Sequence, residues 1–172
     1  MAWFQKKPAG AGTPRAQPAV EKVHQLLNER SIIFPPASAD KAAVLALAAA
    51  AACAGHGLGD PAPYLAKVRE REEGISTTLD TGLSLPHARV DALDTIAAAL
   101  ALMPHGVADP KQPETPIRAM FLFFSPNKQE AFGRHLQVLR AVSTLFTPAT
   151  MDLLAGLKTP ASVLALLRER QP

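Results

Sequence analysis

A chain of 172 residues with 48% apolar and 19% charged side chains has the size and balance of one globular domain with its own core. Its single cysteine, Cys53, excludes a disulfide framework and reads as a small buried hydrophobe; no Cys/His group stands at metal-ligand spacing. The net charge of +3 belongs to residues 1–18, which carry Lys6, Lys7 and Arg15 and no acid; the other 15 basic and 15 acidic side chains balance, which excludes a nucleic-acid footprint on the folded body.

Residues 1–18 mix Gly, Pro, Ala, Gln and Lys without periodicity and read as a disordered basic tail, with Trp3 and Phe4 at a solvated end. The domain is expected over residues 19–172. No apolar run follows Lys6 and Lys7, and the longest such run, residues 42–54, falls short of the roughly 20 residues that span a bilayer. Direct membrane insertion is therefore not expected, and the cytoplasm is the expected location.

Val20, Val23, Leu26 and Leu27 recur at helical spacing and predict a helix over residues 19–30. Residues 31–34 predict a short strand closed by Pro35-Pro36. Ser38 is the expected N-cap of a helix over residues 39–54 that Gly55 ends, followed by a turn over residues 55–61. A third helix carries Tyr64, Leu65, Val68 and the charged group Arg69-Glu70-Arg71-Glu72-Glu73. A hydroxyl-rich loop occupies residues 76–82, and Leu83-Ser84-Leu85 is a strand ended by Pro86-His87.

Residues 96–103 and 117–125 predict buried strands, closed by Pro104 and Pro126, with turns at 104–106 and 108–116 between them. A helix over residues 128–146 presents Phe132, Leu136, Leu139, Val142, Leu145 and Phe146 on one face. In Thr147-Pro148 and Thr159-Pro160, Thr is the expected N-cap and Pro the first residue of a further helix. Strands interleaved with helices predict a single layered α/β domain.

Of the five histidines, His24 reads as a packing or surface residue of its helix, and His56 and His105 as turn residues. His87 follows a strand and a proline that restricts the backbone before it, and strand ends are where α/β folds place ligands. Ser76, Thr77, Thr78 and Ser84 are near in sequence and Arg89 follows two residues on. An imidazole with hydroxyls and a guanidinium suits phosphate or carboxylate chemistry, although the residues alone leave a structural role open. His135 borders the apolar face of its helix, either as a packing residue or pointing into a site. No Gly-x-x-x-x-Gly-Lys-Ser/Thr run occurs, which argues against a direct ATP kinase.

The ungapped stretch from Glu70 to His87, with Arg71 sixteen residues before His87 and His135-Leu136-Gln137-Val138-Leu139 downstream, resembles the IIA domains of the phosphoenolpyruvate-dependent phosphotransferase system. The similar group is the fructose/mannitol type, which includes the nitrogen-regulatory members, and the likeness covers roughly residues 20–170. It implies a mixed β-sheet flanked by helices on both faces. It also implies that His87 is phosphorylated at Nε2 with Nδ1 held by a hydrogen bond, and that Arg71 and His135 face the phosphoryl oxygens. Thr77 is the family's loop threonine, and Ser76 and Arg89 are further phosphate-binding candidates.

The resemblance implies a phosphohistidine carrier rather than a stand-alone turnover enzyme, with no cofactor and no metal. Its partners are an HPr-type phosphocarrier protein and either a IIB domain or a regulated target, in sugar transport or nitrogen regulation. Two other readings stand beside it: a regulatory module of the same fold that acts by docking, and an unrelated α/β binding domain in which His87 is structural. Ile75, Thr78 and Asp80 stand where family members often have glycine. Glycine lets backbone N–H groups approach phosphate, and an acid at position 80 facing that phosphate weakens binding.

Overall fold

The computed structural model describes residues 21–171. The tail expected over residues 1–18, with Trp3 and Phe4, lies outside them. Five strands form one mixed sheet: β1 (Ile32–Ile33), β2 (Leu83–Ser84), β3 (His87–Val90), β4 (Ala97–Val107) and β5 (Ile117–Pro126). β4 and β5 pair antiparallel at its centre, with Ala99 opposite Leu122. β1 runs parallel to β4 on one side, and β2 and β3 run parallel to β5 on the other.

Helices cover both faces, which is why the central strands are near-continuous apolar runs rather than alternating ones. Ala98, Leu100, Leu102, Phe121 and Phe123 face a core completed by α3 (Phe132–Leu145), α4 (Pro148–Ala155) and α5 (Pro160–Arg170). Ala97, Ala99, Ala101, Met120, Leu122 and Phe124 face a second core under α1 (Lys41–His56) and α2 (Ala62–Glu72). Small side chains meet there: Ala48, Ala49 and Ala52 of α1 are fully buried, with Cys53 beside them at 1% exposure. Thr147 and Thr159 cap α4 and α5 by accepting from the N–H groups of Thr150 and Ser162, with proline at the first turn of each helix, as their sequence predicts.

Several elements differ from the sequence expectation. The described part of the helix expected over residues 19–30, residues 21–30, is not one helix. Two 3-10 turns, Val23–Leu26 and Glu29–Ser31, are separated by extended Leu27 and Asn28. The Asn28 side chain accepts from the Arg30 N–H, and the Ser31 hydroxyl accepts from the Asn28 N–H, which competes with helix propagation. α1 is capped by Asp40, not Ser38, through the Ala43 N–H, and ends at Gly57 in the left-handed conformation (φ 67°), not at Gly55. β4 runs past Pro104 to Val107, through a register irregularity between Leu102 and Val107 that absorbs the proline. On α3 the inward residues are His135, Val138, Ala141, Val142 and Leu145, while Phe132 and Leu136 stay exposed.

Gly55 is inside α1 because nothing larger fits: a Cβ there would stand 2.9 Å from Ser31 Cβ and 3.1 Å from Asn28 Oδ1. Gly55→Ala is therefore expected to destabilise the fold by about 1–2 kcal/mol despite alanine's better helix propensity. Urea unfolding checks the sign; a stabilised variant would show that the contact relaxes freely.

Candidate active site

The strand that carries His87 is broken just before it. Pro86 has no N–H to give to the ladder, so pairing with β5 lapses after Ser84 and resumes at His87, opposite Phe123. His87 therefore opens β3 rather than marking the chain's exit from the sheet, which corrects the boundary expected from the sequence. The restart aims the ring back along the chain: Nδ1 lies 2.8 Å from the Leu85 carbonyl oxygen. A carbonyl only accepts, so Nδ1 carries the proton and Nε2 keeps its lone pair. The ring stacks on Phe123 at 5.4 Å between centroids and meets the ring of His135 edge-on at 5.3 Å.

These residues open into a cleft of about 500 Å³ lined by Lys67, Glu70, Arg71, His87, Arg89 and His135, among others. A larger hollow of about 660 Å³, lined by Gln137, Arg140, Thr144 and Arg170, contains no histidine, so the chemistry belongs to the smaller cleft. Arg71 makes no ion pair or side-chain hydrogen bond among the described residues. Two acids near it in sequence are engaged elsewhere, Glu70 with Lys67 at 3.7 Å and Glu72 with Lys41 at 3.4 Å. Arg89 donates to the Lys128 carbonyl at 2.7 Å and lies over the Phe132 ring, and its buried Nε has no hydrogen-bond partner. A buried donor without a protein partner, on a side chain that lines the same cleft as both imidazoles, suits an anionic oxygen.

Burial is the main reason that His87 titrates below the ordinary histidine range. The hydrogen bond to Leu85 and the charge of Glu72 oppose the shift, and Arg71 adds to it. His135, only 5% exposed, is held lower still, at about 4, by burial first and then by His87 and Arg89. Both rings are neutral at physiological pH, one with a free lone pair next to unneutralised guanidinium charge. The arrangement suits nucleophilic attack on an electrophile that carries negative oxygens.

The structure thus brings Arg71 and His135, from two other segments of the chain, to the cleft that His87 and Arg89 line. It places Ser76 and Thr77 differently. Thr77 Oγ1 donates to Glu72 at 2.7 Å, and Ser76 Oγ donates to Asp109 at 2.9 Å. Asp109 also accepts from Thr78 Oγ1 at 2.6 Å and from Lys41 Nζ at 3.0 Å, so the hydroxyl loop is pinned to a buried carboxylate. Asp80 stands on an exposed turn and does not line the cleft; Ile75 is 80% exposed. His24, His56 and His105 do not line the cleft, and His56 meets the Ala98 backbone at the end of α1.

Sequence reasoning missed Asp109, Lys41, Lys111 and Ser125. Lys111 Nζ caps the end of α2 by donating to the carbonyls of Glu72, Glu73 and Gly74, immediately after Arg71. Ser125 Oγ lies 2.7 Å from His135 Nδ1. None of these pairings has a spacing signal, because each joins segments that only the fold brings together. Among the described residues no three His, Cys, Asp or Glu side chains gather as a metal site, and no helix is long and apolar enough to cross a membrane.

Comparison with known proteins identifies the family and the fold. The family model described as phosphoenolpyruvate-dependent sugar phosphotransferase system, EIIA 2, matches residues 25–170. The nitrogen regulatory protein IIA-Ntr from Neisseria meningitidis superposes with a TM-score of 0.74 at 20% identity, over 84% of this chain and 98% of that one. IIA mannitol from Escherichia coli superposes with a TM-score of 0.67 at 22% identity, over 82% of this chain and 98% of that one. Enzyme IIAMtl from E. coli, solved in complex with phosphorylated enzyme IIBMtl, gives 0.68 at 20% identity, over 83% and 97%. No curated protein sequence matches significantly. The mixed sheet, the coverage of both faces and the family match lead to one conclusion: the chain belongs to the EIIA 2 family of the phosphoenolpyruvate-dependent sugar phosphotransferase system.

Proposed function

We propose that this protein is a phosphohistidine carrier in which Nε2 of His87 accepts a phosphoryl group from an HPr-type donor. It then yields that group to a IIB domain, or holds it as a regulatory signal. The observation that carries this reading is the tautomer of His87. The Leu85 carbonyl keeps the proton on Nδ1, and the lone pair of Nε2 is available in a cleft with the guanidinium groups of Arg71 and Arg89.

In the transfer, Nε2 forms a bond to phosphorus as the donor's P–N bond breaks. The ring gives up no proton, because the proton stays on Nδ1, which donates it to the Leu85 carbonyl. Phosphoryl transfer asks a protein mainly for in-line positioning and for stabilisation of the equatorial oxygens; Arg71 and Arg89 supply the charge, and His135 a neutral ring beside them. Ser76 and Thr77 act at one remove in this reading, through Asp109 and Glu72, by fixing the loop that follows Arg71. Exposed Phe132 packs against Arg89 and His135 of the cleft, exposed Ile75 and Leu136 adjoin its Gly74 and His135 in sequence, and the three offer apolar contact area to a partner protein.

The test is intact mass after incubation with phosphoenolpyruvate, enzyme I and an HPr-type carrier. One acid-labile phosphate per chain is the expected result. No gain with any such carrier would overturn the carrier reading in favour of a module that acts by docking alone.

The pH behaviour of the nucleophile is a separate expectation. Because burial lowers its pKa, the His87 ring should titrate with a midpoint below the ordinary 6.5, so its neutral, nucleophilic form persists into mild acid. The Cε1 proton resonance followed against pH reads this directly. A midpoint at or above 6.5 would mean that the ring is solvated or paired with an acid.

A further inference from the structure

We propose that Ser125 is a positioning residue for the transfer: its hydroxyl donates to Nδ1 of His135, which keeps that ring's proton on Nε2, the nitrogen left for the phosphoryl group. The proposal rests on the carrier reading above and extends it to a residue outside the cleft lining.

Ser125 stands on β5 opposite Arg89 of β3, two residues beyond Phe123, which pairs with His87. Side chains of alternate strand residues share a face, so Phe123 and Ser125 both point to the side covered by α3. That helix sets His135 against them, with its ring 5.2 Å from Phe123 and its Nδ1 2.7 Å from Ser125 Oγ. The Ser125 side chain is fully buried, and His135 Nδ1 is its one hydrogen-bond partner among the described residues.

Counting protons assigns the direction. The buried hydroxyl has one proton, and the single acceptor in reach is Nδ1. If Nδ1 were itself protonated it would donate to Oγ, and the hydroxyl proton would have no acceptor. Nδ1 is therefore bare, and the proton of the neutral ring sits on Nε2. The low pKa of His135 fits this state: the ring contributes as a neutral donor rather than as a cation. The two adjacent imidazoles then hold opposite tautomers. Leu85, which can only accept, leaves His87 with a nucleophilic Nε2; Ser125, which must donate, gives His135 an Nε2–H able to bond a phosphoryl oxygen.

Ring ¹⁵N spectra of the full chain test the assignment without any variant. His135 should show an unprotonated Nδ1 and a protonated Nε2, and His87 the reverse; a protonated Nδ1 on His135 would overturn the proposal. Ser125→Ala should then shift His135 toward the other tautomer and slow phosphoryl uptake about tenfold. Thermal unfolding and the His87 spectrum should not change, and Ser125→Thr, which keeps the hydroxyl, should recover both the tautomer and the rate. Uptake by Ser125→Ala at the wild-type rate also overturns it. A wild-type chain that takes no phosphate from any donor refutes the carrier reading instead, and the spectrum still decides whether Ser125 sets the tautomer.

Discussion

Replacing His87 with glutamine is expected to reduce phosphate incorporation below detection while leaving the chain folded. The amide of glutamine can still donate to the Leu85 carbonyl, so the local backbone keeps its partner, but no ring nitrogen remains to bond phosphorus. His135 is not a substitute: its Nδ1 is bonded to Ser125, and the residue is almost wholly buried. Arg71→Ala should behave differently. It retains the nucleophile and removes one source of charge at the transferring group, so uptake slows by about 10²–10³-fold without vanishing. Intact mass and a time course of uptake separate the two outcomes. Glutamine at position 87 with full, acid-labile incorporation would move the phosphorylated nitrogen elsewhere in the molecule.

Asp109→Asn is expected to be the most destabilising conservative change in the described part of the chain. The carboxylate is 1% exposed and accepts from Lys41 Nζ, Ser76 Oγ and Thr78 Oγ1 at one oxygen and from the Lys111 N–H at the other. An amide must turn its NH₂ toward one of these sets of donors, and the Lys41 ammonium loses its nearer counter-charge. Breaking such a pair costs about 3 kcal/mol, which for a domain of this size lowers Tm by roughly 6–12 °C.

The pH dependence has a definite sign. Burial alone would raise the Asp109 pKa, but hydrogen bonds from Thr78, the Lys111 backbone, Lys41 and Ser76 outweigh it and hold the carboxyl well below the usual carboxylate range. A depressed folded pKa stabilises fully above the unfolded value of about 3.9 and is lost as pH falls below it. The Tm gap between wild type and Asp109→Asn should therefore be constant from pH 6 to 8 and narrow on acidification. A gap that ignores pH would mean that the carboxylate charge is not what stabilises the loop.

Much of the candidate site was legible in the linear chain. The run from Arg71 to His87 and the His135-Leu136 segment carry the family resemblance, and Pro86 marks the break that sets the His87 backbone. The capping pairs Thr147-Pro148 and Thr159-Pro160 were equally plain, because a cap is a contact between residues three apart. Apolar periodicity misjudged α3, where Phe132 and Leu136 were expected inside and are exposed, while His135 is buried. Hydrophobicity does not distinguish a core position from one that flanks a cleft. The first predicted helix failed because Asn28 offers its neighbours a competing side-chain partner, which a count of apolar spacings ignores.

What the amino-acid order by itself determined is therefore local or familial: most of the elements, the caps of α4 and α5, and the candidates for the nucleophile and its arginine. Only the tertiary structure decided which groups meet Nδ1 of each imidazole, the Leu85 carbonyl for His87 and the Ser125 hydroxyl for His135, and that Ser76 and Thr78 answer to Asp109 rather than to the cleft. It also decided that Arg89, which lines the cleft with both rings, keeps a buried Nε without a partner among the described residues. The physical reason is that a proton's position on a ring, and a hydroxyl's choice of acceptor, depend on partners up to 33 residues away that no spacing rule connects.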